Sequence, residues 1–304
     1  MKFIIFAPSF NEISGGIVVQ HKLCHLLNDL GHEAYLFPYA YSYELNRFNL
    51  IETSYKILKW SLYNTLKRYK VNESFNTPIF KGNVNFLDDF IVIYPEVTFG
   101  NPLNAKHVVR WLLHKPGFHE GHFYYGMNEF IIRFNSAIGD YTHYGSYVSK
   151  NFLKVIHYPL EHYNENDAYS RRNGVSYCIR KGKGKNHIKD HARDTLIDGL
   201  SHEKVAAIFK KTKFFISYDT YTAYSLFATL CGCISIVVPD EGVSEHEWYP
   251  DKKDRYGISY GESNLEWAKK TRHLVHRYVK DEENANYARV RSFVDEVRVF
   301  FNMG

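Results

Sequence analysis

The feature that most constrains this chain is a repeated order: a short apolar run, a turn, apolar residues at helical spacing, then another apolar run. Residues 3–7 are continuously apolar and end at Pro8, the pattern of a strand buried on both faces of a parallel sheet. Residues 11–16 supply a loop. From 17 to 30, Val19, Leu23, Leu26, Leu27 and Leu30 recur at helical spacing, and Gly31 provides a C-terminal stop. Residues 34–37 ahead of Pro38 form the next strand, so the chain opens with a βαβ unit. Runs at 90–94, 108–113, 130–134 and 155–156 extend a doubly wound sheet.

The second half restarts the same order, with a strand at 175–179, a helix at 202–210, a strand at 214–217, a helix at 222–230 and a strand at 234–238. Residues 265–278 and 284–301 read as closing helices, the second amphipathic through Tyr287, Val290, Phe293, Val294, Val297 and Phe301. A length of 304 residues is enough for two cores, and the expected division falls at 1–157 and 158–304, near His157-Tyr158-Pro159. In that division the last helix packs back on the first domain.

Composition narrows the class. With 45% hydrophobic and 23% charged residues the chain is neither disordered nor an integral membrane protein. The 38 Lys and Arg against 33 Asp and Glu leave only +5, which argues against nucleic acid as a partner and suits a small anion or an anionic membrane surface. Cys24, Cys178, Cys231 and Cys233 form no CxxC pair, so reduced core thiols are expected. The N-terminal apolar run is too short for a signal peptide, and no stretch of about 18 apolar residues occurs; the expected location is the cytoplasm.

Three segments carry candidate chemistry. Ser14-Gly15-Gly16 sits between a strand end and a helix start, where amides and the helix dipole accept an anion; a plain flexible turn explains it equally well. Arg180-Lys181-Gly182-Lys183-Gly184-Lys185-Asn186 places a guanidinium and several ammonium groups directly after a strand, which suits a diphosphate, although a solvated basic loop is the plainer alternative. Asp219, Thr220, Tyr221, Thr222 and Ser225 follow a strand and open a helix, so hydroxyls and amides would meet a phosphate or ribose; an N-cap by Asp219 or Thr220 is compatible with that. His114 ends a strand and is a candidate base or orienting group, with His119 and His122 as competitors and a structural histidine as the alternative. Glu241 and Glu245 lie in the loop after the strand at 234–238, among other acids. His187 and His191, spaced i,i+4, would share a helix face, but no third ligand is in sight and no metal is expected.

Taken in order, these blocks resemble GT-B glycosyltransferases similar to family 4. The glycine pair ahead of a helix ending in Leu30-Gly31-His32-Glu33 is similar to that family's opening. Arg180 and Lys185-Asn186 match its donor-diphosphate Arg and Lys in spacing, and the stretch from His202 through Cys231-Gly232-Cys233 resembles its two-glutamate segment. Three departures stand out: Asp219 replaces the first glutamate, Phe227 replaces the second, and Ile179 replaces a glycine before the Arg. The segments Tyr221-Thr222-Ala223-Tyr224-Ser225 and Tyr256-Gly257-Ile258-Ser259-Tyr260-Gly261 look closer to a bacterial capsule and O-antigen branch.

The resemblance implies an α/β GT-B fold of two Rossmann-like domains facing across a cleft, an N-terminal acceptor domain and a C-terminal nucleotide-sugar domain. It implies transfer of a sugar from a nucleoside-diphosphate sugar donor to a glycan or lipid-linked acceptor, with retention and without metal or other cofactor. Arg180, Lys185 and His114 are the expected catalytic residues. Gly15, Gly16, Asp219, Thr220, Tyr221, Thr222, Ser225, Glu241 and Glu245 are the expected donor contacts. The rival class is a non-catalytic nucleotide-binding module or a sugar-nucleotide-modifying enzyme; no G-x-G-x-x-G follows the first strand. Residues 51–71, apolar at helical spacing with Lys56, Lys59, Lys67, Arg68 and Lys70 alongside, read either as a basic amphipathic helix on the inner membrane surface or as an ordinary packed helix.

Overall fold

The structure is a computed structural model that describes residues 1–38, 55, 69–83, 86–118 and 121–303. The basic stretch at 51–71 lies outside the described residues except for Tyr55 and residues 69–71, and His119 lies outside them as well. The chain divides into two compact units, 1–157 with 284–304 and 158–283. Each is an α/β unit around a parallel sheet, the Rossmann-like arrangement expected from the sequence.

Unit 1 holds β1 (Lys2–Ala7), α1 (Gly15–Asp29), β2 (Glu33–Pro38), β3 (Phe90–Pro95), β4 (His107–Leu112), β5 (Phe130–Arg133) and β6 (Tyr147–Phe152). Its sheet runs β2-β1-β3-β4-β5-β6, all parallel, with Lys2 opposite Glu33 and Phe90. Because strand side chains alternate, Phe3 and Ile5 enter one core with Leu23, Leu26 and Leu27 of α1, while Ile4 and Phe6 enter a second core on the other face with Val92 and Tyr94. That double burial is why β1 shows no polar alternation.

Unit 2 holds β7 (Val175–Cys178), β8 (Thr195–Leu196), α2 (His202–Lys211), β9 (Phe214–Ser217), α3 (Tyr224–Leu230), β10 (Ile234–Val237), α4 (Glu245–Trp248), β11 (Ile258–Tyr260) and α5 (Leu265–Thr271). The order β11-β10-β9-β7-β8 is again parallel throughout. α2 carries Glu203 in its first turn and Lys210 and Lys211 in its last, matching its dipole, and buries Val205, Ala206 and Phe209. Each large apolar side chain of this kind removed from water contributes roughly 1.5–3 kcal/mol.

The final helix, α6 (Val275–Phe300), is one element of 26 residues. Val275 and Val279 belong to the core of unit 2, and Val290, Phe293, Val294 and Val297 to that of unit 1. The break expected between 278 and 284 falls earlier, in a tight 3-10 turn at Arg272–Leu274. Residues 155–156 are buried but form no strand; the sixth strand is instead the largely polar β6. No helix among the described residues is long and apolar enough to cross a membrane.

Candidate functional site

In unit 2 the chain moves from β7 to β8 on one side and to β9 on the other, so the connections diverge between β7 and β9. A crevice opens beyond the carboxyl ends of strands at such a point, and ligands of open parallel sheets bind there. The loops after β7 and β9 both arrive at it. Cys178 ends β7, and Arg180–Gly182 follow as a 3-10 turn closed by the Gly182 amide on the Ile179 carbonyl at 2.7 Å. Gly182 is fixed by packing, because a β-carbon there would collide with the Tyr218 carbonyl.

The turn leaves two cations in defined places. Lys185 Nζ donates to Thr220 Oγ1 at 2.6 Å and to the Val238 carbonyl at 2.7 Å, and pairs with Asp240 Oδ1 at 2.6 Å. An ammonium has three protons, so all three donors are used and the group is held across the ends of β7, β9 and β10. Arg180 lies with its Cζ 4.9 Å from the Tyr224 ring centroid and its Nε 3.5 Å from Asp219 Oδ2. Its backbone adopts φ +43°, the left-handed region that non-glycine residues rarely enter.

The segment after β9 is tightly folded. Ser217 Oγ donates to the Asp219 carbonyl at 2.7 Å, and Asp219 Oδ1 accepts the Tyr221 amide at 3.2 Å, an Asx turn that keeps Asp219 buried. Thr222 Oγ1 accepts the Tyr224 amide, so α3 starts at Tyr224 rather than at 222. Among the described residues the buried Ser225 hydroxyl has no partner, and Tyr221 packs against Tyr249. Arg180, Lys185, Asp219 and Thr220 are therefore linked directly by contacts. The two glutamates are not part of this group: Glu245 pairs with the buried Arg255 at 2.7 Å, and Glu241 is exposed.

His187 and His191 stand in a loop, not on a helix. His191 contacts Asp194 Oδ2 through Nδ1 and the Tyr218 hydroxyl through Nε2, both at 2.7 Å, which ties this loop to the segment after β9. Among the described residues no cluster of three or more His, Cys, Asp or Glu is placed to hold a metal.

The other candidates belong to unit 1. Its connections diverge between β1 and β3, and α1 begins beside that point. The helix starts at Gly15, so the glycine pair forms its first turn instead of the preceding loop, and Ser14 gives no side-chain cap. His114 follows β4; its Nδ1 accepts the Lys115 amide at 2.8 Å, which places the proton of the neutral ring on Nε2, and the ring lies 4.0 Å from Phe118. Sequence reasoning missed Glu96, buried after β3, whose Oε2 accepts the Leu113 amide at 3.0 Å and so holds the backbone leading to His114. It also missed Asp198, because an Asp-Gly pair signals a turn and nothing more.

The fold and site define a two-unit α/β protein with parallel sheets and a fixed cationic pair at the switch point of the second. No protein-family model and no curated protein sequence matches the chain. Among solved structures it is similar to a glycosyltransferase from Rickettsia africae ESF-5, at 10% identity and TM-score 0.47 over 100% of this chain and 99% of that one. The glycosyltransferase VinC in complex with dTDP gives 12% identity and TM-score 0.40, with 100% of both chains covered. An alpha-glucosyltransferase in complex with UDP and a 13-mer DNA containing an HMU base gives 11% and 0.42, with 95% of both covered.

Proposed function

We propose that the protein is a GT-B glycosyltransferase that moves a sugar from a nucleoside-diphosphate sugar to an acceptor. The observation that carries this is the placement of Arg180 beside Asp219 and of Lys185 beside Thr220 at the carboxyl ends of β7, β9 and β10. A departing diphosphate develops negative charge there, and two cations already positioned at that end of the sheet stabilise it once the phosphate displaces Asp240 from Lys185. Each such contact supplies on the order of 2–4 kcal/mol. The scheme draws its charge neutralisation from these side chains and asks for no metal.

Unit 2 then binds the donor. Asp219 orders Arg180 and its own turn, and Thr220, Tyr221, Thr222 and Ser225 frame the same end of the sheet. Unit 1 takes the acceptor, with His114 orienting its hydroxyl and the first-turn amides of Gly15 and Gly16 receiving an anionic part of the substrates. The sequence resemblance extends the proposal to a retaining, family-4-like enzyme of bacterial surface polysaccharide synthesis, acting on a glycan or lipid-linked acceptor at the inner face of the membrane.

The test is a thermal-shift screen of UDP, GDP, dTDP and CMP, followed by transfer assays with the donor series of the nucleotide that binds. Arg180→Ala and Lys185→Ala are expected to keep the fold and to cut transfer by about 10²-fold or more each. Near-normal transfer by both variants rejects the diphosphate assignment. Nucleotide binding with no transfer to any glycan or lipid acceptor favours a non-catalytic module.

A further inference from the structure

Asp198 stands in the loop after β8, away from every motif that points to a nucleotide, yet it makes the contacts that set the Arg180 backbone. Its Oδ2 accepts the Arg180 amide at 2.9 Å and the Ile179 amide at 3.2 Å. Its Oδ1 is buried without a partner among the described residues. The residue these bonds hold has φ +43°, a conformation that is strained for a non-glycine residue and persists only where surrounding structure enforces it. A relaxed Arg180 would swing its side chain away from Tyr224 and Asp219, since side-chain direction follows from the backbone.

We propose that Asp198 is a positioning residue: by accepting two consecutive amides on one carboxylate oxygen, it holds Arg180 in the left-handed conformation that aims its guanidinium at the diphosphate. This rests on the diphosphate reading of Arg180, and it adds a residue that acts only through Arg180. Two requirements follow. An acceptor oxygen is needed at 198, but a negative charge is not. Removing Asp198 matters only while an arginine stands at 180.

The experiment measures binding of UDP, dTDP and inorganic pyrophosphate by calorimetry to the wild type, Asp198→Ala, Asp198→Asn, Arg180→Gly and the double variant Asp198→Ala/Arg180→Gly. Asp198→Ala is expected to lose about tenfold in affinity for the binding nucleotide and for pyrophosphate alike. Asp198→Asn, which retains an acceptor oxygen, stays within about threefold of wild type. The double variant binds as Arg180→Gly does, the non-additivity of two residues acting as one. If Asp198→Ala fails to fold, the Asn variant and the Arg180→Gly background, where the left-handed turn is unstrained, still carry the test. Additive losses in the cycle, or a loss confined to nucleotides with pyrophosphate unchanged, overturn the proposal. A wild type that binds none of the three probes defeats the diphosphate reading itself, and this inference falls with it.

Discussion

Arg180 Nε lies 3.5 Å from Asp219 Oδ2, which joins the loop after β7 to the turn after β9. The carboxylate is nearly buried and the guanidinium partly exposed, so the pair partly neutralises the charge offered to a ligand. Asp219 also closes its own turn through Oδ1. Asp219→Asn retains that acceptor and removes the charge. We expect it to melt close to wild type and to bind free nucleoside diphosphate at least as tightly. A roughly tenfold weaker binding, read by calorimetry, would show that the charge is needed to hold Arg180.

Lys185 raises the same issue at its other end. Asp240 Oδ1 sits 2.6 Å from its ammonium, and Asp240 is about one-third exposed. A diphosphate drawing on Lys185 competes with that carboxylate. Because a partly exposed pair of this kind is worth only about 0.2–1 kcal/mol, Asp240→Asn is expected to tighten diphosphate binding by no more than about fivefold. Weaker binding in the variant would mean that Asp240 contributes to the ligand site instead of masking it.

Gly182 is the place where the loop cannot take any side chain. An alanine β-carbon would run into the Tyr218 carbonyl, which is backbone and cannot step aside. Gly182→Ala should therefore cost about 1–3 kcal/mol and displace the turn that carries Arg180, lowering both the melting temperature and diphosphate affinity. Gly184 has open space around it but φ +101°. Its alanine variant should lose some stability through backbone strain and keep more of the binding. Equal binding losses in the two would remove the special role given to the Gly182 contact.

What can be read from the sequence depends on what each residue faces. Strands buried on both sides, such as β1, β3 and β9, announce themselves as apolar runs, and the helices between them by their stripes. β6 does not, because Tyr147, Lys150, Asn151 and Phe152 are exposed at the sheet edge and leave no apolar pattern. Residues 155–156 mislead for the opposite reason: Ile156 is buried, but its amide and carbonyl are satisfied by the Asn286 side chain and not by a neighbouring strand. At the site, the basic loop was readable as charge and glycine directly after an apolar run. Its partners Asp198 and Thr220 were not readable as such, since they are brought to it from 18 and 35 positions away by the order of strands.

Mild acid should weaken the fold through unit 1. His21 is fully buried there, its Nε2 at 2.9 Å from the Pro8 carbonyl and its ring against Phe10 and Tyr69, and Nδ1 has no partner among the described residues. Burial pushes its pKa below the ordinary histidine value, outweighing the Pro8 contact. His25, His32 and His107 in the same unit are also lowered, in each case chiefly by burial. With the folded pKa below the unfolded one, the unfolded chain takes up protons first as the pH falls. Stability is therefore intact above about pH 6.5 and declines as the pH drops below it towards the depressed folded values. Thermal melts at a series of pH values from neutral to mildly acid should show the midpoint falling. His21→Gln, which cannot titrate but still offers a donor for the Pro8 carbonyl, should fall less over the same range. A midpoint that stays level or rises on acidification would contradict the burial account, and an identical fall in the Gln variant would move its source to the other three histidines.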